Sequence, residues 1–276
     1  MKVFICLAEQ EEFIIMDKLQ TLDGQTFTEV TAVKEKDIQM QQIMPQRADG
    51  LDILYEDNHL LVVVKPQNIP TCPDSSKDAS IFDIAKEYLQ KKYQKESAYL
   101  GLVHRLDRPT GGVLVFAKTS KAAARLSSQL QDGGFQKKYM AILQQKPRQE
   151  RGELLHYLKK NAINNLVYIC PQTTEGAKRA LLYYEIIQTL PNGQTLVSID
   201  IQTGRSHQIR VQMSAIDCPL VGDMKYNPQA KKGNLALWAY SLSFLHPTTQ
   251  DKMRFLVQPP ETTLFKQFNT DKFFKL

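Results

Sequence analysis

The chain has 276 residues, 42% apolar and 23% charged, the balance of a folded globular protein rather than a disordered or fibrous one, and long enough to bury a core without disulfides. No stretch approaches the ~20 apolar residues of a membrane span, the short apolar run Val3–Ala8 leads into acidic residues and does not read as a signal peptide, and the four cysteines form no CxxC pair, which argues against a disulfide framework or a structural zinc site. The net charge of +6 is uneven: residues 1–100 hold 11 basic and 17 acidic residues, residues 101–276 hold 24 and 12, so the later part is the one suited to a polyanion such as RNA or DNA.

Residues 1–50, rich in Gln and acids, read as a small accessory segment of short strands with a turn at Asp23-Gly24. From Leu51 the pattern sharpens. Leu51–Tyr55 and Leu60–Val64 predict two strands joined at Asp57-Asn58, the second ended by Pro66. Ser80 is placed to cap a helix whose apolar residues Ile81, Ile84, Ala85, Tyr88 and Leu89 keep helical spacing. Leu100–Asp107 reads as a strand entering a loop and Val113–Ala117 as another strand. Ser120 is expected to cap a helix to about Leu130, stopped by Gly133-Gly134. A strand over Tyr139–Leu143 follows, then a hairpin of Leu181–Leu190 and Gln194–Ile201 turned by Pro191-Asn192-Gly193. Ser206 is expected to open a helix through Ile216, and Leu235–Phe244 and Met253–Val257 supply late strands. Many strands with few helices and no βαβ alternation predict an α+β fold on a mixed, mainly antiparallel sheet.

Three segments concentrate chemistry. His104-Arg105-Leu106-Asp107-Arg108-Pro109-Thr110-Gly111-Gly112 sets a carboxylate among arginines, which favour its charged form, and ends in a Gly pair suited to tight turns. The order resembles a kinase catalytic loop, but Leu106 intervenes and no Asp-Phe-Gly or Gly-rich phosphate loop accompanies it. Lys137-Lys138-Tyr139-Met140-Ala141 places Lys137 and Tyr139 on one strand face, where a Tyr beside lysines can be core or can stack on a base. Thr203-Gly204-Arg205-Ser206-His207-Gln208-Ile209-Arg210 gathers cations at a helix start. His104 and His207 are general-base candidates or holders of loop geometry, and no His/Cys pair has metal-ligand spacing.

In this order, these segments resemble the RluA-type family of RNA pseudouridine synthases, whose pattern runs His-Arg-Leu-Asp-x-x-Thr-Ser-Gly, Lys-x-Tyr-x-Ala and Gly-Arg-x-His-Gln-Ile/Leu-Arg. Ile53–Pro66, Cys218–Asp223 with Lys225-Tyr226, and Ala239–Pro247 resemble flanking blocks, so the likeness covers about residues 51–258. Gly111 stands where the family usually has Ser, Pro109 where a charged or polar residue is common, and Gln212 where many members have His. The resemblance implies a pseudouridine synthase fold with a catalytic cleft, a catalytic domain over 51–276, and an isomerase needing neither cofactor nor metal. It implies Asp107 as the catalytic carboxylate, acting as nucleophile or as base at the sugar, Arg210 as its basic partner, and Tyr139 stacked on the target base. Ile209 would face the base's other side and Arg105 would fill the space a flipped base vacates. Arg205 and Lys137, with Lys138, Lys231 and Lys232, are phosphate-contact candidates. The family often carries an N-terminal S4-type module, for which residues 1–50 show no clear pattern. The expected protein is a cytoplasmic monomer acting on ribosomal RNA, then transfer RNA; the competing readings are a catalytically silent RNA-binding or ribosome-assembly factor and a hydrolytic glycosylase.

Overall fold

The structure, a computed structural model, describes residues 3–8, 41–43, 45–261 and 263–274. The turn expected at Asp23-Gly24 lies outside the described residues. Strands β1 (Val3–Ala8), β2 (Gln41–Ile43) and β3 (Gln46–Ala48) precede the hairpin β4 (Leu51–Glu56) and β5 (Leu60–Lys65). Asp57 holds that hairpin, its Oδ1 accepting from the backbone N–H of His59 at 2.7 Å and Leu60 at 2.6 Å. Helix α1 (Ile81–Tyr93) opens on Ser80 with a capping box closed by Asp83. After β6 (Gly101–Leu102) come β7 (Gly111–Ala117), α2 (Ser120–Gln131), β8 (Gln136–Leu143), β9 (Arg151–Lys160) and β10 (Val167–Cys170). The hairpin β11 (Lys178–Thr189) and β12 (Thr195–Ile201), helix α3 (Gln208–Ser214), β13 (Leu237–Leu245) and β14 (Lys252–Val257) complete it.

Among the described residues these strands make one sheet, ordered β10-β9-β11-β12-β8-β13-β7-β5-β4-β3, with β14 pairing to β13 and carrying β1 and β2, and β6 pairing to β7. Every pairing but one is antiparallel; β13 runs parallel to β7 at Trp238–Gly111 and Ala239–Gly112. This is the mixed, mainly antiparallel sheet of the α+β expectation. Two apolar layers cover its faces. On one, Ala122 and Leu126 of α2 join Val62, Val115, Trp238 and Phe255. On the other, Ile81, Ala85 and Leu89 of α1 and Ile209 and Met213 of α3 join Leu61, Leu114 and Ala141. Strands β5 and β7 are buried throughout, which explains their unbroken apolar runs: a strand covered on both faces has no reason to alternate.

Four sequence expectations shift. Helix α2 is capped by Thr119, whose side chain accepts from Ala122 N–H, so Ser120 is its first helical residue. Ser206 caps nothing: α3 begins two residues later, behind His207 in a left-handed conformation (φ 52°), because the Gln208 side chain folds back to accept from Arg205 N–H and Thr203 Oγ1. The Gly111-Gly112 pair makes a close strand approach rather than a turn. A Cβ on Gly111 would lie 2.3 Å from Trp238 Cζ3, and Gly112, at φ +124°, would set one 2.2 Å from the Ala239 carbonyl oxygen. Strand β6 spans only two residues of the run expected from Leu100.

Candidate active site

The loop between β6 and β7 carries Asp107 and is fixed from behind by the segment after β5. Thr71 Oγ1 donates to the Leu106 carbonyl at 2.7 Å and accepts its N–H at 3.2 Å. Lys65, fully buried, donates to the carbonyls of Pro66, Ile69 and Arg108, at 2.9, 2.6 and 3.1 Å. Burial pushes its ammonium down to about 7, with the charge of Asp107 opposing the shift. Gln67 Nε2 donates to the Pro109 carbonyl at 3.1 Å. Three side chains within seven residues thus staple the backbone on either side of Asp107.

From α3, Arg210 reaches this loop. Its Nη1 donates to Asp107 Oδ2 at 3.3 Å, while Nε and Nη2 make a forked pair with the two oxygens of Asp223, at 2.8 and 2.7 Å. Asp223 is wholly buried and also accepts from Lys225 and Tyr226 N–H. Burial works against the Arg210 charge, but the bonds and charge of Asp223, then Asp107, outweigh it and raise its pKa. Tyr226 lies under the guanidinium, 5.2 Å from ring centroid to Cζ, and its hydroxyl meets His207 Nδ1 at 2.7 Å. His207 Nε2 stands 3.9 Å from Asp107 Oδ2. Burial keeps His207 below its ordinary pKa, against the pull of Asp107. One carboxylate oxygen is therefore oriented, while Oδ1 takes no hydrogen bond among the described residues and the side chain is 26% exposed. Two carboxylates and one guanidinium leave this cluster net negative, with an open oxygen suited to attack an electrophilic carbon or remove a proton.

The cleft around Asp107, of about 1060 Å³, is lined by Arg105, Lys137, Tyr139, Arg205, Ile209 and Arg210 among others. That volume is at the top of the ~300–1,000 Å³ range of ligand sites, with room for a nucleotide. These six residues and Asp107 thus converge, although Asp107 and Arg210 are 103 positions apart. Tyr139 and Ile209 are both buried in the cleft lining, and burial, reinforced by the Asp107 charge, raises the Tyr139 phenol and keeps it neutral. Arg105 is exposed and makes no ion pair among the described residues, and Arg205 is anchored by Nε to the Arg179 carbonyl at 2.9 Å.

One expectation is corrected. Arg108, expected beside Asp107, turns instead to Asp78 and to Asp74 at 3.8 Å. Lys138 lies 3.9 Å from the cleft-lining Asp200 without lining the cleft itself, and exposed Lys231 and Lys232 are likewise not among the lining residues. Gln212 ties α3 to β9 through the Leu154 carbonyl at 2.9 Å. Asp223 and Lys65 were not singled out from the sequence; the Lys65-Pro66 pair at a strand end and Asp223 within the Cys218 block were their only signals.

A family model described as RNA pseudouridylate synthase matches residues 59–215. The dual-specificity RNA pseudouridine synthase RluA of Haemophilus influenzae is 34% identical over 216 residues, 74% of this chain and 91% of that protein. The chain belongs to the RluA-type RNA pseudouridine synthases. These are isomerases that act on RNA. Another RluA-type relative, ribosomal large subunit pseudouridine synthase D of Zymomonas mobilis, is 32% identical over 224 residues, 76% of this chain and 70% of that one. The human RNA pseudouridylate synthase domain containing 4 shares the RluA-type fold, with a TM-score of 0.63 at 23% identity, over 75% of this chain and 88% of that one. Among the described residues of this synthase, no helix is long and apolar enough to cross a membrane.

Proposed function

We propose that this synthase isomerises uridine to pseudouridine in structured ribosomal RNA, with transfer RNA the next candidate, using Asp107 as its reactive carboxylate. The observation that carries this reading is the Asp107–Arg210–Asp223 chain at the wall of a cleft lined by Tyr139 and Ile209. The relatives' names support the RNA classes: one is called dual-specificity, another acts on the ribosomal large subunit.

The reaction breaks the N1–C1′ bond, turns the base and joins C1′ to C5; the proton lost at C5 balances the one gained at N1. No atom or electron is added, and in this reading the chain's own side chains carry the chemistry without cofactor or metal. Asp107 attacks the nucleotide or removes the C2′ proton. Arg210 holds one of its oxygens so that the other faces substrate. Buried Tyr139 and Ile209 sandwich the base, and neutral Tyr139 is placed to move a proton at C5. A base in a helix must first leave its stack, at a few kcal/mol; Arg105, exposed and without an ion pair among the described residues, fills the vacated space. Arg205, fixed to β11, meets the backbone. The protein acts as a cytoplasmic monomer, with residues 51–276 as catalytic domain and residues 1–50 as an accessory segment.

Tritium release from RNA labelled at uridine C5 tests this directly. Wild type should release label and Asp107→Asn should not, with RNA binding retained. Complementation by Asp107→Asn would favour a silent binding factor, and release of free uracil a glycosylase.

A further inference from the structure

Lys137 stands apart from the cleft's other cations. Only 8% of its surface is accessible, yet its ammonium makes no hydrogen bond or ion pair among the described residues. Asp107 makes no ion pair with it; its Oδ2 pairs with Arg210 at 3.3 Å. Burying an unpaired ammonium is unfavourable unless an anion arrives. The backbone opposite leaves room: a Cβ on Gly204 would lie 3.3 Å from Lys137 Nζ, and glycine supplies none.

His104 provides a second donor in the same cleft. Strand β6 ends after two residues, and the Val115 N–H donates instead to His104 Nε2 at 3.3 Å. An amide can only donate, so Nε2 is the accepting nitrogen and the proton of the neutral ring sits on Nδ1. Burial, then the charge of Lys137, pushes His104 down to about 3, so it stays neutral. Nδ1–H has no partner among the described residues. An ammonium and a neutral imidazole N–H form a donor-only set, which matches a phosphodiester: an anion whose free oxygens only accept.

We propose that Lys137, with the His104 imidazole lining the same cleft, forms a subsite for one backbone phosphate of the RNA strand that presents the target uridine. The proposal rests on the function given above and adds a defined anion position to it.

The test pairs Lys137→Met with an RNA hairpin containing a mapped target uridine, in which the flanking phosphates are replaced one at a time by neutral methylphosphonates. Lys137→Met should fold at least as stably as wild type, since it removes a buried unpaired charge. It should weaken RNA binding about tenfold, the scale of one charge-assisted contact, and lower the salt slope of log K by about one unit. One methylphosphonate should produce the same loss in wild type and no further loss in Lys137→Met. Gly204→Ala, which keeps the charge and crowds the ammonium, should weaken binding at the same phosphate. Additive losses at every position, or an unchanged salt slope, would overturn the subsite, as would a loss matched instead by altering a uracil carbonyl. A wild type that isomerises no uridine would instead overturn the functional reading.

Discussion

Asp223→Asn isolates what holds Arg210 in place. The substitution keeps the shape of a wholly buried side chain and removes its charge. The Asn oxygen can take the place of Oδ1 and keep Arg210 Nη2 and the N–H groups of Lys225 and Tyr226. Its NH2 then faces Arg210 Nε–H, which now bonds Oδ2 at 2.8 Å. One charge-assisted bond worth about 1.5–3 kcal/mol becomes a donor–donor contact, leaving buried donors unpaired at about 1–3 kcal/mol more. The expected loss is about 3–5 kcal/mol, the range for breaking a buried ion pair. Urea unfolding at pH 7 measures it, with an unchanged m-value showing that stability alone moved. Single-turnover isomerisation should slow as well, because the aim of Arg210 at Asp107 depends on the fork behind it. RNA affinity should hold, since Asp223 is not a cleft-lining residue. A stability loss under about 1 kcal/mol, or a large loss with turnover within about twofold of wild type, would refute this reasoning.

Gly111→Ser, the residue usual in the family, should destabilise by about 1–3 kcal/mol or more, because its Cβ meets the buried Trp238 ring; a midpoint within about 0.5 kcal/mol of wild type would show that the ring yields freely. Neutral buried His104 binds its proton far more readily unfolded than folded, so its contribution is intact above pH 6.5 and is lost as pH falls from there toward 3, by up to about 1.4 kcal/mol per pH unit. His104→Asn, which keeps an acceptor for Val115, should flatten that part of the acid stability profile, and parallel profiles would count against it. Lys137, held at about 8 by burial, gives a rise in stability between pH 8 and 10.5 that Lys137→Met should lack in denaturant titrations across that window. Thr119→Ala should cost about 1 kcal/mol and Ser120→Ala almost nothing, since Thr119 is the cap; the reverse order in thermal melts would return the cap to Ser120.

The parts of the fold that were legible are those where local chemistry and burial agree. Helix α1 has its capping box and one buried stripe, and β5 and β7 are apolar because both faces are covered. Strand β9 escaped notice because its buried residues, Leu154 and Leu158, are four apart, a helical spacing, while Leu155 is exposed. Its neighbour β10 is four residues long. In the site, Asp107, Tyr139, Ile209 and Arg210, read from the motifs, line the cleft, but their supports did not show. Asp223 sits in a loop where an Asp reads as a turn residue, and only the fold brings Arg210's fork onto it and removes water from both. The pairing of Asp107 with the distant Arg210 rather than adjacent Arg108 likewise depends on α3 packing against the sheet, which no local charge pattern encodes.

The contact between Gly111 and Trp238 has a practical consequence. Trp238 is the chain's single tryptophan, 1% exposed, with its Nε1 donating to the Val257 carbonyl at 2.9 Å. Its ring presses on the first residue of β7, four positions after Asp107. The protein's indole emission therefore comes from one place, the seam where the loop carrying Asp107 enters the sheet. A blue-shifted signal reports that seam closed, and quenching or a red shift on binding RNA reads its opening without any added label.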